Sequence, residues 1–207
     1  EASPLITQTL PSDDFETQIS TAGIPLAHTE IRIVDPETGA TQKCGEPGEL
    51  CIRGYQVTEG YYAMANATRE AIDTDGWLHS GDLAVLEERG YLRIVGRIKD
   101  MLIRGGENIY PVEIENLLVS HPGISEAQVV GVPDNELGEE IFAFVKPTPG
   151  ASASEEEMRL FCRERSSRQK LPRYFHFVDD FPMTANGKVQ KFELRKVAAD
   201  FLKGTTE

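Results

Sequence analysis

The 207-residue chain is poor in the features that mark several common protein classes. It has three cysteines, Cys44, Cys51 and Cys162, an odd count with no Cys-x-x-Cys pair. That argues against a disulfide framework or a zinc site and for a reducing compartment. Its four histidines, His28, His79, His121 and His176, are scattered at no metal-ligand spacing. No apolar run approaches the roughly 18 residues of a membrane-spanning helix. Positive charge is in deficit: 21 Lys and Arg against 34 Asp and Glu leave a net charge of −13. This argues against a non-specific nucleic-acid binder, which needs a basic face to displace counterions. The chain opens on Glu1, with no methionine and no basic-then-apolar secretory signal, and reads as a piece of a longer protein. It also lacks a Rossmann or P-loop glycine fingerprint, a Ser–His–acid order and a stacked aromatic platform.

What is present is ordinary for a globular protein, 40% hydrophobic and 27% charged, with length for one large domain or two small ones. The charge is uneven. Residues 1–96 hold 16 acidic and 6 basic side chains, whereas residues 97–207 hold 18 and 15. Solubility alone accounts for the acidic first part; the near-neutral second part could also host an anionic ligand.

The local patterns change at the same place. Residues 1–18 read as a polar loop. From Thr29 to Val95 the signals are β: Ile31, Ile33 and Val34, then Gly48 to Gly54, then a hairpin of Leu83 to Leu86 and Tyr91 to Val95 turning through Gly90. Asn66 to Ile72 reads as a short helix. Beyond Arg97, strands and helices alternate. Asp100 to Arg104 is a strand, and Gly105-Gly106 a turn toward a helix that Pro111 opens. Ile114, Leu117 and Leu118 form its apolar stripe. The runs Ala127 to Val132 and Ile141 to Val145 are strands, and Ser154 with Glu157 is a capping box. Tyr174 to Val178 is a further strand and Glu193 to Leu202 a closing helix. The expected fold is mixed α/β: a β-rich, barrel-like part over 1–96, then a small α+β domain over 97–207 with helices on one side of its sheet. The junction near Lys99 is short enough to act as a hinge.

Four segments carry possible chemistry. Ser80-Gly81-Asp82 could end a strand and offer a carboxylate to two hydroxyls, or be a turn aspartate bonding its own backbone. Gly96-Arg97-Ile98-Lys99-Asp100 offers a guanidinium fork for a ribose or phosphate, or a solvated pair at a strand entry. Gly105-Gly106-Glu107 lets backbone approach a ligand without Cβ interference, and serves equally as a tight turn. Pro182 to Lys188 presents a lysine at a turn tip, where an ammonium could offset developing negative charge. A turn lysine without a role is the commoner case.

In this order, these segments resemble the adenylate-forming superfamily of acyl- and aryl-CoA synthetases, luciferases and peptide-synthetase adenylation domains. The resemblance spans essentially the whole chain. It is carried most specifically by Gly96-Arg97-x-Lys99-Asp100 through Gly105-Gly106 and Pro111-x-Glu113-Ile114-Glu115, and separately by Pro182-x-Thr184-x-x-Gly187-Lys188. Gly60-Tyr61-Tyr62 and Asp75-Gly76-Trp77 look most like medium- and long-chain fatty acyl-CoA synthetases. The resemblance implies an acid–thiol ligase using ATP, Mg2+, a carboxylic acid and coenzyme A, with no tightly bound cofactor. It further implies ribose binding by Asp82 with Arg97, and charge stabilisation by Lys188 at the carboxylate and α-phosphate. Lys99 is implied as the hinge, Gly105, Gly106 and Glu107 as the coenzyme A channel, and Glu1 as the end of a magnesium-binding Thr-Glu motif. A cytoplasmic enzyme is implied, or one of the mitochondrial matrix in a eukaryote. An amino-acid- or aryl-acid-adenylating domain and a non-catalytic module of the same fold are the alternatives. The family's Ser/Thr/Gly-rich phosphate loop is absent, so the 207 residues alone are expected to form no acyl-AMP.

Overall fold

The computed structural model describes residues 2–204. The chain divides into two compact units, Glu1–Lys99 and Asp100–Glu207, whereas the shift in charge and pattern draws the border at 96/97.

The opening residues are not simply a loop. They form β1 (Thr7–Gln8) and lead into α1 (Phe15–Ser20), and β1 pairs with β2 (Ile24–Pro25). The signal lay in Asp14, whose carboxylate accepts the Thr17 N–H at 2.7 Å and caps the helix. Then come β3 (Thr29–Val34), β4 (Pro47–Gly54), α2 (Ala65–Ala71), β5 (Leu78–Leu86) and β6 (Leu92–Arg97). Strands β3 to β6 make an antiparallel sheet in chain order. Gly23 bridges to Leu92, bringing the β1–β2 ladder onto the β6 edge and curling the unit. Alternation gives the sheet two faces: Ile33, Leu50, Ile52, Leu78, Ala84 and Leu92 bury on one, and Val34, Cys51 and Trp77 on the other. Each large side chain so buried contributes about 1.5–3 kcal/mol.

The second unit contains β7 (Leu102–Arg104), β8 (Glu107–Ile109), α3 (Pro111–Val119), β9 (Ile124–Asp134) and β10 (Gly138–Pro147). It closes with α4 (Glu155–Arg165), β11 (Tyr174–Phe177) and α5 (Lys191–Gly204). Strand β10 pairs with β9 antiparallel and with β11 parallel, and meets β7 at Gly138 and Arg104. Helices cover both faces of this sheet, not one. Ile141, Ala143 and Val145 of β10 pack with Ile114 and Leu118 of α3 and Met158 and Cys162 of α4. Phe142 and Phe144 pack with Leu194 and Ala198 of α5. A strand buried on both faces reads as an unbroken apolar run, so its sequence does not say how many helix layers cover it.

Two local expectations also change. Gly105-Gly106 joins β7 to β8 in a hairpin instead of leading from strand to helix. Their φ angles of +59° and +83° are the left-handed pair that a two-residue turn requires. Ser154 Oγ accepts the Glu157 N–H at 3.2 Å and caps α4. The return half of the box is replaced: the Glu157 carboxylate instead meets His121 Nε2 at 3.3 Å.

Candidate functional site

Asp82 does not end a strand; a bulge inside β5 presents it. Glu49 of β4 faces Leu83 and Cys51 faces His79, so Ser80, Gly81 and Asp82 all pass opposite Leu50. Such a bulge bends the strand and re-aims its side chains. Gly81 takes a φ of +71° there and donates its N–H to Glu49 Oε1 at 3.0 Å, while the Asp82 N–H donates to Ser80 Oγ at 3.1 Å. Across the hairpin Asp82 pairs in register with Arg97, and the Arg97 Nε lies 3.0 Å from Asp82 Oδ1. The two side chains are 35% and 48% exposed, so the ion pair is open to a ligand. Asp82 and Arg97, 15 positions apart in the chain, are thus brought together.

Behind the bulge lies a polar cluster that the sequence did not reveal. Glu49 Oε2 lies 2.8 Å from His79 Nδ1, and Cys51 Sγ lies 3.5 Å from the same nitrogen. The alternation of Glu49 and Cys51 along β4 is the only linear signal; the partner, His79, follows from strand register. Asp73 Oδ2 faces His79 Nε2 at 3.8 Å and Arg32 at 3.1 Å. Burial alone would raise the Asp73 carboxyl, but the N–H groups of Trp77 and Asp75, with the Arg32 charge, hold it below the ordinary range. The guanidinium groups of Arg32 and Arg53 lie over the Trp77 ring, 4.3 and 4.6 Å from its centre. Burial, and then the Glu49 charge, push the Cys51 thiol up to about 11.

In the second unit, Gly105, Gly106 and Glu107 share the β7–β8 hairpin, which is tied down from both sides. The Gly105 N–H donates to the Leu137 carbonyl at 2.8 Å. Arg104, just before the turn, donates through Nη2 to Glu140 Oε2 at 2.9 Å and through Nη1 to the Gln169 carbonyl at 2.7 Å. Its Nε is 2.7 Å from Glu140 Oε1, a close ionic contact in poor alignment for a hydrogen bond. Glu140 is 2% exposed and immediately precedes the apolar run Ile141 to Val145 of β10. Gln169 returns a bond to Glu107 at 3.4 Å.

Lys188 stands on a separate turn. Its backbone carbonyl accepts the Thr184 N–H at 2.8 Å, and its own N–H donates to Thr184 Oγ1 at 3.0 Å. Gly187 supplies a φ of +74°. The Lys188 side chain is exposed and, among the described residues, forms no ion pair. The base of the turn is fixed where Lys191 Nζ meets Glu115 Oε1 at 2.7 Å, the oxygen that also accepts the Val129 N–H at 2.9 Å. Lys99 lies in the one-turn 3-10 helix Ile98–Asp100, and Asp100 pairs with Arg195 at 3.3 Å. Glu1 lies outside the described residues. The other expected site residues divide between the units: Asp82, Arg97 and Lys99 in the first, Gly105, Gly106, Glu107 and Lys188 in the second.

The family profile of AMP-binding enzymes matches residues 1–62, and that of the AMP-binding enzyme C-terminal domain matches residues 113–188. The chain belongs to this adenylate-forming family. Among curated relatives, it is 55% identical over 196 residues to YngI, a putative acyl-CoA synthetase of Bacillus subtilis (strain 168), covering 95% of this chain and 36% of the relative. It is 47% identical over 203 residues to the mitochondrial medium-chain acyl-CoA ligase ACSF2 of Rattus norvegicus, covering 98% and 33%. The chain therefore spans about a third of the length of these relatives. Among solved structures, ATP-bound MatB from Rhodopseudomonas palustris superposes with a TM-score of 0.84 at 37% identity, covering 88% of this chain and 36% of that one. The o-succinylbenzoate CoA synthetase of Bacillus subtilis, in complex with its acyl-adenylate, gives 0.78 at 34% identity, covering 86% and 36%.

Proposed function

We propose that this chain is the carboxy-terminal machinery of an ATP-dependent fatty acid–CoA ligase. The observation that carries the reading is the open Asp82–Arg97 pair on its bulged hairpin: a carboxylate to accept two ribose hydroxyls, with a guanidinium beside it. In the first half-reaction a substrate carboxylate oxygen attacks the α-phosphorus of ATP, and pyrophosphate leaves. In the second, the coenzyme A sulfur attacks the acyl carbon, and AMP leaves with the bonding electrons. Lys188 offsets the charge shared by the carboxylate and α-phosphate in the first step; among the described residues no carboxylate pairs with it, which leaves it free for that role. Lys99 is the pivot between steps. Gly105, Gly106 and Glu107 then line the coenzyme A channel, on a hairpin anchored through Arg104 to Gln169 and through Gly105 to Leu137. Magnesium enters with ATP. The medium-chain activity in the names of the ACSF2 relatives, at higher identity than the aryl-acid and amide-forming neighbours, favours a fatty acyl substrate. We infer a reaction in the cytoplasm, or in the mitochondrial matrix of a eukaryote; the name of ACSF2 as mitochondrial supports the second setting. No helix among the described residues is long and apolar enough to cross a membrane.

The test is a chimera in which this chain replaces the matching third of YngI. With medium-chain fatty acids, ATP and coenzyme A it is expected to release pyrophosphate and form thioester. Lys188→Ala is expected to lower acyl-AMP formation by about 10²–10³-fold while sparing thioester formation from supplied acyl-AMP. A folded chimera that makes no acyl-AMP, or one indifferent to Lys188→Ala, would overturn the proposal. The 207 residues alone, without a phosphate loop, should release no pyrophosphate.

A further inference from the structure

The cluster behind the Asp82 bulge has the composition and spacing of a metal site. Glu49, Cys51 and His79 place one carboxylate oxygen, Sγ and Nδ1 within 4.8 Å of one another. A tetrahedral zinc ion, with bonds of about 2.3 Å to sulfur and about 2.0–2.1 Å to nitrogen, sets those two donors about 3.5 Å apart. Cys51 Sγ and His79 Nδ1 are 3.5 Å apart already. Glu49 Oε2, 2.8 Å from His79 Nδ1, is hydrogen-bonded to it and would retreat by about 0.5 Å to become the third ligand.

The outer contacts fit as well. A metal-bound histidine commonly turns its other nitrogen toward a carboxylate. Here His79 Nε2 faces Asp73 Oδ2 at 3.8 Å, and Asp73 is fixed by the N–H groups of Trp77 and Asp75, both at 2.9 Å, and by Arg32. Glu49 keeps its second oxygen on the Gly81 N–H, so ligation through Oε2 breaks no backbone bond. Cys51 is fully buried, but the His79 side chain is 32% exposed, which gives an ion a way in and leaves a coordination position for water.

We propose that Glu49, Cys51 and His79 form a binding site for a divalent cation of the zinc class. Magnesium, which demands six hard oxygen donors, does not suit a thiolate and an imidazole. The site is thus distinct in kind from the magnesium that accompanies ATP. Cysteine ligates as the thiolate, so binding of each ion releases the Cys51 proton. The thiolate and the Glu49 carboxylate then neutralise the dication.

The experiment uses the 207-residue chain with Co2+ and Zn2+. Cobalt is expected to give a thiolate-to-metal charge-transfer band in the near ultraviolet, together with tetrahedral d–d bands in the red. Cys51→Ser should abolish the charge-transfer band, and His79→Gln should weaken zinc binding at least tenfold. Cys44→Ser, which removes the exposed thiol, should change neither. Calorimetry in two buffers of different ionisation enthalpy should report release of about one proton per zinc. If Cys51→Ser does not fold, Glu49→Gln, which can keep the Gly81 bond, should still weaken zinc binding tenfold. A charge-transfer band that disappears with Cys44, the absence of any such band, or zinc binding indifferent to His79→Gln and Glu49→Gln would each overturn the proposal.

Discussion

Replacing Arg104 by methionine tests the strongest anchor of the β7–β8 hairpin. In the native chain the nearly inaccessible Glu140 carboxylate receives Nη2 of Arg104 at 2.9 Å, the ionic contact of Nε at 2.7 Å, and the Ile141 N–H at 2.8 Å. Removing the guanidinium leaves the Ile141 N–H and Arg173, whose Nη1 is 3.9 Å away. A charge-assisted hydrogen bond is worth about 1.5–3 kcal/mol, and breaking a buried ion pair by deleting one partner costs about 3–5 kcal/mol. Because Arg173 can move closer, the lower end applies, about 3 kcal/mol. With a urea m-value of about 1.5 kcal/mol/M, the midpoint falls by about 2 M. Far-UV circular dichroism follows the loss, and Trp77, the single tryptophan, reports on the first unit as an internal control. The double variant Arg104→Met with Glu140→Met should recover most of the stability, because no charge is then left unpaired. A midpoint shift below about 0.5 M for Arg104→Met would refute the reasoning. So would a double variant no better than the single one, since the cost would then lie in packing.

Three further outcomes follow from local chemistry. An aromatic disulfide reagent should modify one thiol in the native chain, the exposed Cys44, because Cys51 and Cys162 are buried and pushed up to about 11; fast reaction of a second thiol would contradict this. Asp73 is held below its unfolded value, so its contribution is fully present above about pH 4 and is lost as pH falls through the lower folded value. Asp73→Asn should therefore flatten the acid limb of the Trp77 unfolding transition, and an unchanged limb would count against that role. Ser154→Ala removes the cap of α4 and should cost about 1 kcal/mol in urea unfolding, whereas Ser154→Asp should restore it.

The parts of the fold written in local periodicity were legible. Ile31 and Ile33 of β3, Pro111 at the start of α3 and Ser154 before α4 follow rules that act within a few residues. Arg104–Glu140 was not legible, because the two are 36 positions apart and Glu140 opens an otherwise apolar run. The helices on both faces of β10 were hidden for a related reason: Ile141 to Val145 are apolar at every position, and only the opposing residues show which core each enters. At the candidate site, the resemblance singled out Asp82, Arg97, Lys99, Gly105, Gly106, Glu107 and Lys188 as positions along the chain. The bulge that presents Asp82 was invisible, since it arises from a register shift between β4 and β5. Glu49, Cys51 and His79 were missed for the same reason: strand register, not spacing along the chain, brings His79 beside Glu49 and Cys51.

The two-faced burial of β10 has a genetic consequence. Its neighbouring residues answer to different partners, so suppressors should separate by parity along the strand. Damage at Ile141 or Ala143 should be repaired by second-site changes in α3 or α4, and damage at Phe142 or Phe144 by changes in α5. A selection for restored folding would therefore draw two non-overlapping maps from one five-residue stretch.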